Sequence, residues 1–125
     1  MLEGLAMQEA YVEYDDKAVA TEVKQAYRYM IGWAATLKNH VCFPSGHGHI
    51  KDFRFMRGED WDFSFIPNQK WLLFYFRTPC LRLSKYTRAA ILNCFPGAKE
   101  TSAGEFTIRV ARLDDAVRIA SFVER

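Results

Sequence analysis

The chain has 125 residues, half of them hydrophobic and 15% aromatic. A disordered chain is excluded, because it would lack the apolar surface that offsets ordering entropy; one domain with a core of its own fits this length. Seventeen Lys and Arg against fifteen Asp and Glu leave a formal net charge of +2, which by itself specifies no partner.

Residues 1–14 mix apolar and acidic side chains without a clear period and read as a leader; residues 15–125 read as a single domain. The leader has no long apolar core of a signal peptide. The longest apolar stretch, Trp71 to Phe76, is strand-sized and far short of the roughly 18 residues of a membrane span, so no membrane association is expected. Three widely spaced cysteines, Cys42, Cys80 and Cys94, suit reduced thiols in a cytoplasmic protein better than a disulfide framework.

Asp15 and Asp16 suit a helix N-terminus, and Val19, Val23, Ala26, Tyr27, Met30, Ala34 and Leu37 recur at three and four, which predicts a helix over 16–38. Gly32 inside it costs roughly 1 kcal/mol relative to Ala, so close packing is the expected reason for its presence. Asn39 to Gly48 holds Asn, Pro, Ser and two Gly and reads as a loop. Phe53 and Phe55 then alternate with Asp52 and Arg54 as far as Gly58. Trp61, Phe63 and Phe65 alternate with Asp62 and Ser64, the pattern of a half-buried strand. After a turn at Pro67-Asn68-Gln69, Lys70 to Arg77 runs back as its hairpin partner.

Pro79 interrupts, and Ser84 is placed to cap a helix over 85–94 that stops before Pro96-Gly97. A short strand at 98–101, the turn Ser102-Ala103-Gly104 and a strand from Glu105 to Val110 make a second hairpin. Asp114 is placed to cap a last helix with Ala116, Ile119, Ala120 and Val123 in one stripe. The order α-β(2–3)-α-β2-α predicts an α+β fold. It has two layers, a mainly antiparallel sheet of two hairpins and about three helices on one face.

Alternation sends Leu72, Phe74 and Phe76 to one side of the strong strand and Trp71, Leu73, Tyr75 and Arg77 to the other. In the last strand, Phe106, Ile108 and Val110 form the apolar side. If the apolar sides meet the helices, the opposite face carries Trp71, Tyr75, Arg77, Thr107 and Arg109. Rings beside arginines stack bases and pair phosphates, and the same residues dominate subunit interfaces. Nucleic acid and a homodimer are therefore both expected partner classes; the structural alternative is that the N-terminal segment or first helix covers this face.

Along the chain the charge resolves to −3 over residues 1–62, +6 over 63–99 and −1 over 100–125; the middle stretch contains no acid. Arg77, Arg82, Lys85 and Arg88 fall close together there. They form a candidate basic patch which, with Arg109, would attract an anionic partner such as nucleic acid or an acidic protein. The alternative is that these bases pair with the acids of residues 1–62. No RNP motif, KH glycine loop or zinc-finger spacing appears.

All three histidines lie near Cys42 in the pattern His40-x-Cys42-x4-His47-x-His49. Imidazole and thiolate are zinc ligands, although these four are more compressed than zinc motifs are. Cys42 beside His40 or His47 also supplies a thiol with a neighbouring base. Glu59, Asp60 and Asp62 form an acidic cluster, but Asn68 stands where a metal-dependent nuclease would need an acid before Lys70, so a charged turn is expected. Two function classes follow. The first is a small binding domain, working through segment 77–88 and the aromatic–arginine face. The second is a metal-dependent or cysteine/histidine enzyme centred on the His40–His49 loop.

Overall fold

The computed structural model describes residues 1–3, 20–45 and 52–125. Helix α1 spans Thr21–Thr36 and is followed by strands β1 (Val41–Ser45), β2 (Asp52–Arg57), β3 (Asp60–Pro67) and β4 (Leu72–Phe76). A four-residue helix α2 (Thr78–Leu81), a 3-10 turn (Ser84–Tyr86) and α3 (Arg88–Cys94) come next. Strands β5 (Lys99–Glu100) and β6 (Phe106–Val110) and helix α4 (Leu113–Glu124) complete the described chain. The strands form one sheet in the order β1-β2-β3-β4-β6-β5, antiparallel throughout. The α+β class and the antiparallel sheet with helices follow the sequence expectation.

Period-two alternation builds the core. Phe53, Phe55, Phe63, Phe65, Phe74 and Phe76 are all fully buried on one face of the sheet. The helices meet that face through rings: Tyr27 against Phe65 at 6.2 Å, Trp33 against Phe55 at 5.5 Å, and Phe122 against Phe76 at 5.7 Å. Such pairs add about 0.5–1.5 kcal/mol each beyond their buried area. Among the described residues, no helix packs its buried side on the other face.

Local structure departs from the sequence reading at several points. Residues 41–45, expected in a loop, form edge strand β1, with Cys42 and Pro44 buried in alternation. Proline has no N–H to give a ladder, so a strand with only one full neighbour tolerates it. On the other side of β1 lie residues 1–3, where Leu2 bridges Cys42 and the Glu3 N–H donates to the Cys42 carbonyl at 2.8 Å. The expected helix over 85–94 is split. Thr87, not Ser84, caps α3, its hydroxyl accepting from the Ala90 N–H at 3.1 Å. Lys85 therefore sits in the 3-10 turn and Arg88 in the following helix. The last helix opens at Leu113 with Arg112, not Asp114, at its N-cap; Asp115, the third helical residue, reaches back, its carboxylate accepting from the N–H groups of Ala111 (3.1 Å) and Arg112 (3.2 Å). Gly32 is exposed and a Cβ there would meet nothing, so close packing does not account for it. The leader from residue 4 to 14, the start of the expected first helix at 16–19, and His47 and His49 lie outside the described residues.

Candidate functional site

Strand register sets the composition of the sheet face opposite the phenylalanines, on which Ser64 is buried and Arg54, Tyr75 and Thr107 are half-buried. One cross-strand row runs through all six strands: Phe43, Arg54, Ser64, Tyr75, Thr107 and Lys99. A second short row pairs Ile66 with Leu73 and Leu73 with Arg109. Aromatic rings on this face carry guanidinium groups. Arg109 lies over Trp71 at 4.4 Å from the ring centroid, and both Arg54 (4.0 Å) and Arg77 (3.7 Å) lie over Trp61. Placing a guanidinium over an indole is worth about 0.5–2 kcal/mol.

Trp61 and Arg54 escape the sequence reading of this face, for a definite reason. Trp61 and Phe63 are two residues apart and should share a face. Instead Trp61 pairs with Met56 and Phe63 with the adjacent Phe55, a register shift that leaves Asp62 as the extra residue of a bulge. The bulge puts the Trp61 ring with Arg54 and Arg77 and buries Asp62, which is 1% exposed. Asp62 accepts from Arg57 Nε at 2.7 Å and Nη2 at 3.1 Å and meets His40 Nε2 at 2.9 Å. Burial alone would raise its carboxyl pKa, but the bonds from His40 and Arg57 override that and hold it below the usual carboxylate range.

The basic segment is largely compensated. Arg77 pairs with Glu105 at 2.7 Å, Arg88 with Glu100, and Lys85 donates to the Val123 carbonyl at the end of α4. Of the four bases at 77–88, only Arg82 has no ion pair or hydrogen-bonded side chain among the described residues. The acids that pair with Arg77 and Arg88 come from 100–125 rather than from 1–62.

Positive charge without an acidic partner gathers elsewhere, at the β4–β6 corner. A groove of about 610 Å³ opens there beside the free edge of β6, where β5 pairs with Phe106 and Thr107 only. Trp71, Leu73, Lys99, Arg109 and Arg118 line it. Arg118 anchors to the Cys94 carbonyl at 2.6 Å and lies over Phe95. Lys99 and Arg109 have no ion pair among the described residues, and the one acid in the lining, Asp115, is committed to the backbone of Ala111 and Arg112. The sequence signal for this cluster is weak, since Lys99, Arg109 and Arg118 belong to three separate elements.

Of the His40–Cys42–His47–His49 pattern, the described residues His40 and Cys42 do not converge on one site. His40 turns to Asp62, while Cys42 is fully buried and its thiol is pushed up to about 11 by burial. Among the described residues, no group of three His, Cys, Asp or Glu is placed to hold a metal, and no helix is long and apolar enough to cross a membrane. Comparison with protein-family models, curated proteins and solved structures found no match for this chain.

Proposed function

We propose that this domain is a binding module for single-stranded nucleic acid. The strand would be held at the groove of Trp71, Lys99, Arg109 and Arg118, at the edge of the sheet face opposite the phenylalanines. The observation that carries this reading is the Trp71–Arg109 pair at 4.4 Å, set at a groove whose bases have no opposing free acid among the described residues. Bases stack on aromatic rings and on guanidinium planes, and unpaired cations neutralise phosphates. The basic segment 77–88 contributes through Arg82 at the periphery. Three unpaired thiols accord with a reducing, cytoplasmic setting.

The test is anisotropy of a labelled mixed-sequence single-stranded oligonucleotide across a salt series, with tryptophan quenching as a second signal. Expected are binding at low ionic strength, a linear fall of log K with log salt, and quenching. Absence of binding at about 20 mM salt, where the electrostatic contribution is large, overturns the reading. An acidic protein partner predicts the salt dependence with polyglutamate but no quenching by oligonucleotide.

A homodimer is the second reading, and one observation favours it. Arg54 pairs with Asp52 at 2.9 Å and Arg77 with Glu105, so the centre of the face is nearly neutral while rich in rings. Light scattering separates the two, because a dimer through this face has twice the chain mass and loses it when Tyr75 is replaced by Glu.

A further inference from the structure

Outside the groove at the β4–β6 corner, the guanidinium groups of the same sheet face are already committed. Arg54 pairs with Asp52 at 2.9 Å and Arg77 with Glu105 at 2.7 Å, and both lie over Trp61. Ser64 in the middle of that face is buried and Tyr75 is half-buried. The groove itself measures about 610 Å³, within the roughly 300–1,000 Å³ that seats one drug-sized ligand. A dinucleotide is a ligand of that size. Folds that run a single strand along their surface cover about 4–16 nucleotides each.

Inside the groove, two guanidinium groups are backed by rings. Arg109 lies over Trp71 at 4.4 Å and Arg118 over Phe95 at 5.4 Å, and both arginines are exposed. A ring beneath a guanidinium leaves its outer side to a base, which stacks on that plane. Arg118 uses one donor on the Cys94 carbonyl at 2.6 Å, which fixes the side chain and keeps its charge. Lys99 has no ion pair among the described residues and is a point charge, suited to a phosphate and not to stacking. The groove therefore offers two stacking platforms and three cations.

We propose, resting on the single-stranded nucleic-acid reading above, that the groove holds a step of two nucleotides, one base on Arg109 and the next on Arg118, with Lys99 on phosphate. The probes are 5′-phosphorylated oligodeoxyadenylates of two, four and eight nucleotides, titrated into the full chain and followed through its indole N–H resonances. At about 150 mM salt, screening within about 8 Å removes the pull of distant phosphates. Corrected for the registers a longer strand offers, the three affinities should agree within about fivefold. The octamer should show a slope of log K against log salt of about −1.4 to −2.1, two or three phosphates at about 0.7 each. A rise beyond fivefold from two to eight nucleotides, or a slope steeper than about −3, overturns the two-nucleotide site and leaves the nucleic-acid reading standing. No octamer binding at about 20 mM salt overturns both.

Arg118→Lys separates stacking from charge, because it keeps the cation and removes the plane. It should weaken the dinucleotide and the octamer by the same factor, at least about fivefold, the loss of one stacked base, with the salt slope unchanged. Arg54→Ala should leave both ligands unaffected, since the face beyond the groove holds no nucleotide. Undiminished binding by Arg118→Lys overturns the second platform and with it the two-nucleotide site. So does a loss in folded Arg54→Ala that grows with the length of the strand.

Discussion

His40 and Asp62 meet at 2.9 Å across 22 residues of sequence, and the contact exists because a bulge in β3 turns Asp62 out of the alternation of its own strand. The carboxylate thereby links β3 to Arg57 of β2 and to the segment entering β1. Replacing it by Asn keeps the volume and removes the charge, leaving Arg57 opposite a neutral amide. Arg57 is 35% exposed and keeps Asp60 nearby, so solvent screens the loss, which should be about 1–3 kcal/mol. Urea denaturation of Asp62→Asn at neutral pH is expected to show that loss, and an unchanged midpoint would remove Asp62 from any structural role.

The same carboxylate predicts a pH dependence. Its pKa is lowered in the folded protein, so the unfolded chain takes up the proton first as pH falls. The stabilisation is therefore complete above the unfolded carboxylate value of about 3.9 and is lost as pH drops through the lower folded value. Stability of the wild type should fall more steeply than that of Asp62→Asn below about pH 4. Parallel curves for the two proteins in that range would contradict the assignment.

Two glycines should respond in opposite directions. Gly58 turns the β2–β3 hairpin at φ +64°, where a Cβ is strained, so Gly58→Ala should cost about 1–2 kcal/mol. Gly32 lies in the interior of α1, exposed, with nothing near a built Cβ. Gly32→Ala should therefore stabilise by about 0.5–1 kcal/mol. Chemical denaturation of the pair checks both signs at once. Destabilisation by Gly32→Ala would mean that the described surroundings of α1 are incomplete.

These examples mark what could be read from the sequence. The alternation of Phe53 and Phe55 with Asp52 and Arg54, and of Phe74 and Phe76 with Leu73, Tyr75 and Arg77, separated the two faces directly, because strand period two is local information. The same period assigned Trp71, Tyr75 and Thr107 to the opposite face. It failed at Trp61 and Asp62, where one inserted residue reverses the pattern and only the neighbouring strand reveals it. It failed at β1 as well, since Pro44 and nearby glycines signal a loop as strongly as an edge. The basic segment was legible as a charge count but not as a surface. Glu100 and Glu105, which pair with Arg88 and Arg77, enter from the second hairpin.

Thiol accessibility tests the cysteine-based alternative. Cys42 and Cys80 are fully buried, and burial raises both pKa values, to about 11 for Cys42 and further for Cys80. Cys94 is half-buried near the end of α3. Since the thiolate is the reactive species, a disulfide reagent at neutral pH should titrate one thiol quickly and the other two only on unfolding. Rapid labelling of Cys42, identified by peptide mapping, would restore an activated thiol beside His40.

The groove makes the sharpest prediction about binding, because it reverses the ranking that charge counting would give. By sequence, Arg82 and Arg88 belong to the most basic stretch, and removing both should cripple an electrostatic site. In the fold, Arg88 is paired with Glu100, whereas Arg109 and Lys99 have no ion pair among the described residues and line the groove. Arg109→Ala with Lys99→Ala should therefore weaken oligonucleotide binding more than Arg82→Ala with Arg88→Ala. Every phosphate that a variant no longer neutralises should lower the salt slope by about 0.7–1. Trp71→Ala should cost a further 1–3 kcal/mol, roughly one stacked base, and abolish most of the quenching. Salt titrations of the two double variants and of Trp71→Ala decide the matter. If the Arg82/Arg88 pair has the larger effect on the slope, the bound strand follows the 77–88 segment and the groove is not its site.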